Sequence, residues 1–235
     1  MSDPLSWLVS LEGVSSAYAG TRDGIDVVLR DRGLRRTSPE TTAESLLRGA
    51  HASAVLAGSA SSLAEVRASG GDPIALDAVR ISTELLSLVP VLKRAPLQAL
   101  ARLHALAAPG RPDVGRPRNA EAAARLQALA GLLTATTTAP ALVVAAIVHA
   151  DLATATPFGS HDGLVARAAE RLVLVVRGVD EKSLTVPEAG HLALRPQYES
   201  NLRGYAAGTR EGVHSWLLYA AEAYAAGAEA SPLQG

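Results

Sequence analysis

The chain has 235 residues, 48% hydrophobic but only 3% aromatic, with 22 basic and 23 acidic side chains and a formal charge of −1. That apolar fraction excludes disorder, and the balanced charge leaves no electrostatic footprint for nucleic acid or an anionic membrane surface. With no cysteine, disulfides and thiolate metal sites are excluded.

Alanine fills 46 positions, against one Phe, one Met and two Trp. A core must therefore be built from Ala, Leu and Val. Alanine is the best helix former and lets helices approach closely, so the composition predicts a nearly all-α protein. The opening MSDPLSWLVSLEG begins with an acid and has no basic n-region, so it does not read as a secretory signal and a cytoplasmic location is expected.

Ser6 to Val28 reads as an initial helical segment ending near Gly33 and the basic stretch Arg30 to Arg36. Thr37-Ser38-Pro39-Glu40 has the form of a helix start, with a hydroxyl cap, a first-turn proline and an acid. The stretch Thr42 to Leu56 is helical by composition, and Gly58 to Ser62 breaks it. Ser62 and Glu65 have capping-box spacing. After the interruption Gly70-Gly71-Asp72-Pro73, a helix is predicted from about Asp77 to Leu88. Another runs over Pro96 to Ala107, where Leu97, Leu100, Leu103 and Leu106 recur at helical spacing.

Ala108 to Arg118 holds three prolines and two glycines and predicts an exposed loop or a short β-hairpin. Helices follow over Glu121–Leu133 and Ala141–Leu152. The uncharged run Leu126 to Val148 is broken by its threonines and Pro140, so it reads as two buried helices and not as one membrane span. A helix is predicted over Asp162–Val176, Thr185 to Arg195 reads as a loop, and two last helices cover about Pro196–Ala207 and Val213–Ala228.

The segment Ala145 to Arg167, AAIVHADLATATPFGSHDGLVAR, resembles the signature of the Fic (Fido) family, H-P-F-x-[DE]-G-N-G-R-x-x-R. Pro157, Phe158, Gly163 and Arg167 match without gaps, and His149 stands where members often carry a histidine seven residues before the motif's own. Ser53 to Val66 resembles the family's inhibitory helix, S-x-x-x-E-G, with Ser53 and Gly58 matching. Leu103-His104 through Gly115 and Arg118 is similar to the run into the substrate flap. Tyr198, Leu202, Gly208 and Trp216 are similar to the close of the domain. The resemblance implies an all-α Fic-type bundle, with an N-terminal helical region over residues 1–75, a Fic-like core over 76–235, and a β-hairpin flap as an option.

The family activity it implies is nucleotide-dependent modification of protein hydroxyls, chiefly AMP transfer, and the departures fall on the residues that would perform it. Thr156 replaces the motif histidine and cannot act as a general base near neutral pH. Ser160 replaces the acid that helps hold Mg²⁺, and a neutral hydroxyl is a poorer ligand than a carboxylate. His161 and Asp162 replace the Gly-Asn pair, and Leu164 replaces the first arginine. Asp162 is placed to cap the following helix and to put an internal anion where a phosphate would bind at free N–H groups. Ala57 stands where the inhibitory glutamate is expected.

The expectation is therefore a catalytically degenerate Fic-like protein serving as a binding or regulatory module. Its partner would be another protein or a second copy, with no nucleic acid and no membrane, and it would need no cofactor. Two alternatives stay open. One is a divergent transferase, phosphotransferase or phosphodiesterase using His161, Asp162 and Arg167, with nucleotide and Mg²⁺ at Ser160 to Gly163. The other is a purely structural homo-oligomer. Arg167 could hold a phosphate or pair with Glu170 at i+3. His104 and His149 read as satisfied interior histidines. The six histidines show no H-x-x-x-H or H-x-x-E-H spacing, so no metal site is expected. Tyr205, Trp216, Tyr219 and Tyr224 read as packing residues.

Overall fold

The computed structural model describes residues 3–30 and 38–234; Gly33, the basic stretch beyond Arg30, and Thr37 lie outside them. Among the described residues the chain is helical, with no strand. The helices are α1 (Ser6–Val9), α2 (Val14–Val28), α3 (Pro39–Leu56), α4 (Leu63–Arg67), α5 (Pro73–Glu84), a 3₁₀ turn (Leu85–Leu88), α6 (Val89–Arg94), α7 (Pro96–Ala107), α8 (Ala120–Thr134), α9 (Ala141–Ala155), α10 (Asp162–Val176), α11 (Pro187–Ala193), α12 (Arg195–Ala206) and α13 (Arg210–Glu229).

The centre of the bundle is the α9–α10 pair. From Leu142 to Leu152 only Asp151 of α9 escapes full burial. A helix that is apolar on all sides belongs inside the bundle. α10 buries nearly its whole length, charged residues included. Around this pair pack α3, α7, α11, α12 and α13. Leu5, Leu8, Val14, Tyr18 and Ile25 from the N-terminal helices join the same core as Trp216 and Tyr224 near the other end of the chain. The Asp3 carboxylate accepts from the Thr137 hydroxyl and the Thr138 N–H, so the chain start is tied to the α8–α9 turn.

Most predicted boundaries are observed. α7 and α10 match their predicted spans. The proline turn separates α8 from α9, and no helix among the described residues is long and apolar enough to cross a membrane. The capping box forms: Ser62 Oγ accepts from Glu65 N–H, and Glu65 Oε2 accepts from Ser62 N–H at 2.7 Å. α5 starts earlier than predicted, at Pro73, because Asp72 caps it through Ala75 N–H at 3.0 Å.

One expectation needs correction, and one pair of alternatives is decided. The stretch from Thr185 to Arg195 is not a loop but contains α11. Its Gly190 has the α13 backbone at Ala223 directly against it; any side chain there would part the two helices. The residues from Ala108 to Arg118 form turns and not a β-hairpin. Prolines 109, 112 and 117 lack the N–H that a ladder requires. The N–H groups of Gly115 and Arg118 go instead to His104 Nδ1 and the Pro157 carbonyl.

Candidate functional site

The loop from Thr156 to His161 joins the two central helices, so its ends are fixed by the most buried part of the protein. Thr156 closes α9 with φ 43° and ψ 57°, and His161 opens α10 with φ 56°. The left-handed region is uncommon for any non-glycine residue and costly for a β-branched one. The loop thus holds a strained threonine where the motif resemblance expects a histidine.

Asp162 is the first residue of α10 and is buried. Its Oδ1 accepts from Phe158 N–H at 2.9 Å. This corrects the expected cap. The carboxylate does not serve the N–H groups of its own helix but reaches back across the loop, since side chains on a helix lean toward its N-terminus. Burial raises the Asp162 pKa, opposed by the N–H groups of Phe158 and Gly159.

His161 points elsewhere. Its Nε2 lies 3.3 Å from Asp77 Oδ2 on α5. His161 and Asp162 therefore face different partners and do not form an acid–base pair with each other. Ser160 Oγ sits 3.3 Å from His104 Nε2. His104 is wholly buried and stacks on Phe158 with ring centroids 4.4 Å apart. Its Nδ1 accepts from Gly115 N–H at 2.9 Å, which leaves the proton of the neutral ring on Nε2. That proton points at Ser160, so His104 cannot take one from the serine. Burial lowers the His104 pKa further, keeping the ring neutral. This histidine fastens the proline-rich turns before α8 to the loop between α9 and α10.

Arg118 adds to the same fastening. Its N–H donates to the Pro157 carbonyl at 2.8 Å, and its guanidinium to the Ala155 carbonyl at 3.2 Å. Of the two residues expected at a flap, Arg118 thus contacts the motif region directly and Gly115 reaches it through His104.

Arg167 is 3% exposed. Its guanidinium donates to Ser53 Oγ at 2.8 Å, to the Ser53 carbonyl at 2.9 Å and to Tyr198 Oη at 3.1 Å. The i+3 pairing with Glu170 is not made, because Glu170 faces two histidines instead. The arginine folds back under Gly163, where an added Cβ would lie 3.3 Å from its Nη1. α3 therefore meets α10 through Ser53, while Ala57 and Gly58 sit exposed at the end of α3. Leu164 is buried, and the cleft that it lines with Ser53, Ile81 and Ala168 holds about 10 Å³. That is room for about one water.

Sequence reasoning passed over a cluster a little deeper in. His149, Glu170 and His191 each have a fully buried side chain. His149 Nδ1 and His191 Nε2 both stand 3.0 Å from the Glu170 carboxylate. Tyr224 donates to the same carboxylate at 2.7 Å. Burial drives the His149 pKa down to about 4, so it is neutral. Burial also works to raise the Glu170 pKa, but the groups packed on the carboxylate, with the His191 hydrogen bond among them, outweigh it and hold the carboxyl below its ordinary range. The buried tyrosines and Trp216 do pack as expected, and Tyr198, Tyr219 and Tyr224 also serve these polar groups through their hydroxyls.

The helical order, the central α9–α10 hairpin and the loop at its end can be set against solved structures. A Fic family protein from Desulfovibrio desulfuricans G20 superposes with a TM-score of 0.77 at 16% identity, over 94% of this chain and 74% of that one. The chain has the Fic fold. Fic-1 from C. elegans agrees, with a TM-score of 0.69 at 16% identity over 96% of this chain and 73% of the other. No family model and no curated protein sequence matches the chain. In the Fic fold seen here, the loop from Thr156 to His161 is the turn between the two central helices, and α3 lies against it through Ser53.

Proposed function

We propose that this chain is a catalytically degenerate Fic-fold protein, without AMP transfer by the family mechanism, acting as a binding or regulatory module for another protein or a second copy of itself. The observation that carries this reading is that two groups at the loop that could hold an anion are engaged from within. The Asp162 carboxylate holds the Phe158 N–H, and Arg167 is taken by Ser53 and Tyr198. Beside Leu164 the cleft has only about 10 Å³, against the few hundred Å³ of a small-molecule pocket; the cleft of about 570 Å³ between Arg118, Arg125, Thr154 and Ala155 is open in volume but lies outside the loop's own anion-binding groups. Thr156 supplies no base, and His104, in contact with Ser160, presents it with a proton.

Isothermal titration with ATP, CTP and CDP-choline, each with Mg²⁺, tests this directly. The expected result is no heat of binding for any of them. Micromolar binding that disappears in Arg167→Ala would overturn the reading in favour of a divergent enzyme. A gain-of-function test complements it. Thr156→His alone should give no labelling of protein by radioactive ATP, because Ser160, Asp162 and Leu164 still occupy or disable the phosphate site.

A further inference from the structure

The structure assigns a divalent transition-metal site of the zinc class to His149, Glu170 and His191, at the junction of α9, α10 and α11. The three offer ligand atoms that all lie within 4.8 Å of one another, the one such group among the described residues. Two imidazoles and a carboxylate form a donor set suited to Zn²⁺ or Fe²⁺, and less so to Mg²⁺ or Ca²⁺, which take oxygen ligands.

The orientation of the rings supports the assignment. In each histidine one nitrogen faces Glu170 and the other is anchored by a phenol. His149 Nε2 lies 2.9 Å from Tyr198 Oη, and His191 Nδ1 lies 2.8 Å from Tyr219 Oη. An outer hydrogen bond of this kind fixes the ring and its tautomer so that the inner nitrogen can bind a metal.

A second observation is independent of that pattern. His149 Nδ1 is fully buried and has no hydrogen-bond partner. It lies 3.0 Å from Glu170 Oε1, but off the line that a ring N–H would need. A lone pair aimed into the cluster uses this geometry better than an N–H bond does. A buried ring nitrogen left without a partner beside a carboxylate is unusual in a native core.

All three ligands have fully buried side chains, so the site is closed to solvent, and its three protein ligands leave one tetrahedral position for a further donor. The ion would enter as the chain folds and clamp α11 onto the central pair. Twenty-one residues separate Glu170 from each histidine in the sequence, which is why no short ligand motif appears.

The test uses the full chain, expressed without a histidine tag. Metal analysis of the purified protein should find about one zinc-class ion per chain. Protein unfolded in guanidinium with chelator, then refolded with Zn²⁺, should melt at a higher temperature than protein refolded without it. Refolding with Co²⁺ should give d–d absorption bands. Both responses should be lost in Glu170→Gln, and the wild-type Co²⁺ spectrum needs no variant to fold. A purified chain free of metal, with no Co²⁺ bands and a melting temperature indifferent to Zn²⁺, would overturn the assignment and leave a metal-free hydrogen-bond network.

Discussion

At the loop end of the α9–α10 hairpin, ionisable side chains lean away from one another toward separate partners: His161 to Asp77, Asp162 to Phe158 N–H. About two turns further in, the same two helices bring His149 and Glu170 together in a fully buried cluster with His191. The loop holds the sequence resemblance but has its polar groups scattered. The inner cluster lacks a sequence signature, yet its groups converge. In this molecule a motif's position and the concentration of polar chemistry have come apart. Breaking each region separately should therefore have opposite consequences.

The largest effect is expected inside. Glu170→Ala removes the acceptor of Tyr224 and the carboxylate facing His149 and His191. Removing one member of a buried charged set costs about 3–5 kcal/mol, which chemical denaturation with a fitted midpoint would read. A loss below about 1 kcal/mol would show that the cluster is not holding the core together. Next is Arg167→Met, which keeps the aliphatic volume but breaks the bonds to Ser53 and Tyr198. Hydrogen bonds to a charged group are worth about 1.5–3 kcal/mol each at most, so a loss of about 2 kcal/mol is expected, with faster proteolysis of α3. An unchanged α3 would mean that its docking rests on Ser45 and Thr185 instead.

How much of this was legible beforehand follows from where the partners lie. α7 and α10 could be bounded from sequence because leucine spacing and an acidic start are local signals. α11 could not, since Gly190 and His191 are poor helix formers whose placement is decided by contact with α13 and Glu170. For the site, the loop from Thr156 to His161 was locatable by resemblance. The fate of Arg167 was not: its partner Ser53 is 114 residues away, and no periodicity reports such a contact. Glu170 was read only as a neighbour of Arg167 along the helix. The three-dimensional cluster turns it toward the histidines, a choice set by tertiary packing.

At the loop, substitution should help the protein. Thr156 is held in the left-handed region, and asparagine tolerates that conformation where a β-branched side chain does not. Thr156→Asn is expected to stabilise by about 1 kcal/mol, seen as a higher denaturation midpoint. Destabilisation instead would show that the threonine makes a contribution that offsets its backbone strain, and the loop would rank with the inner cluster as a structural element.

The smallest change tests the internal anion itself. Burial raises the folded-state pKa of Asp162, so ionising it is harder in the folded chain than in the unfolded one. Stability should then fall as pH rises from below the ordinary carboxylate range through the raised folded value, and stay level above it. Asp162→Asn keeps an acceptor for Phe158 N–H without the charge. At pH 3 variant and wild type should melt together, and by pH 7 the variant should be ahead by about 0.5 kcal/mol. If the variant instead falls behind at pH 7, the carboxylate's bonds to the loop outweigh its burial, and the anion is a fastener of the loop rather than a burden on it. In either case the same variant can be titrated with inorganic phosphate, since removing the internal charge removes the repulsion that an incoming anion would meet.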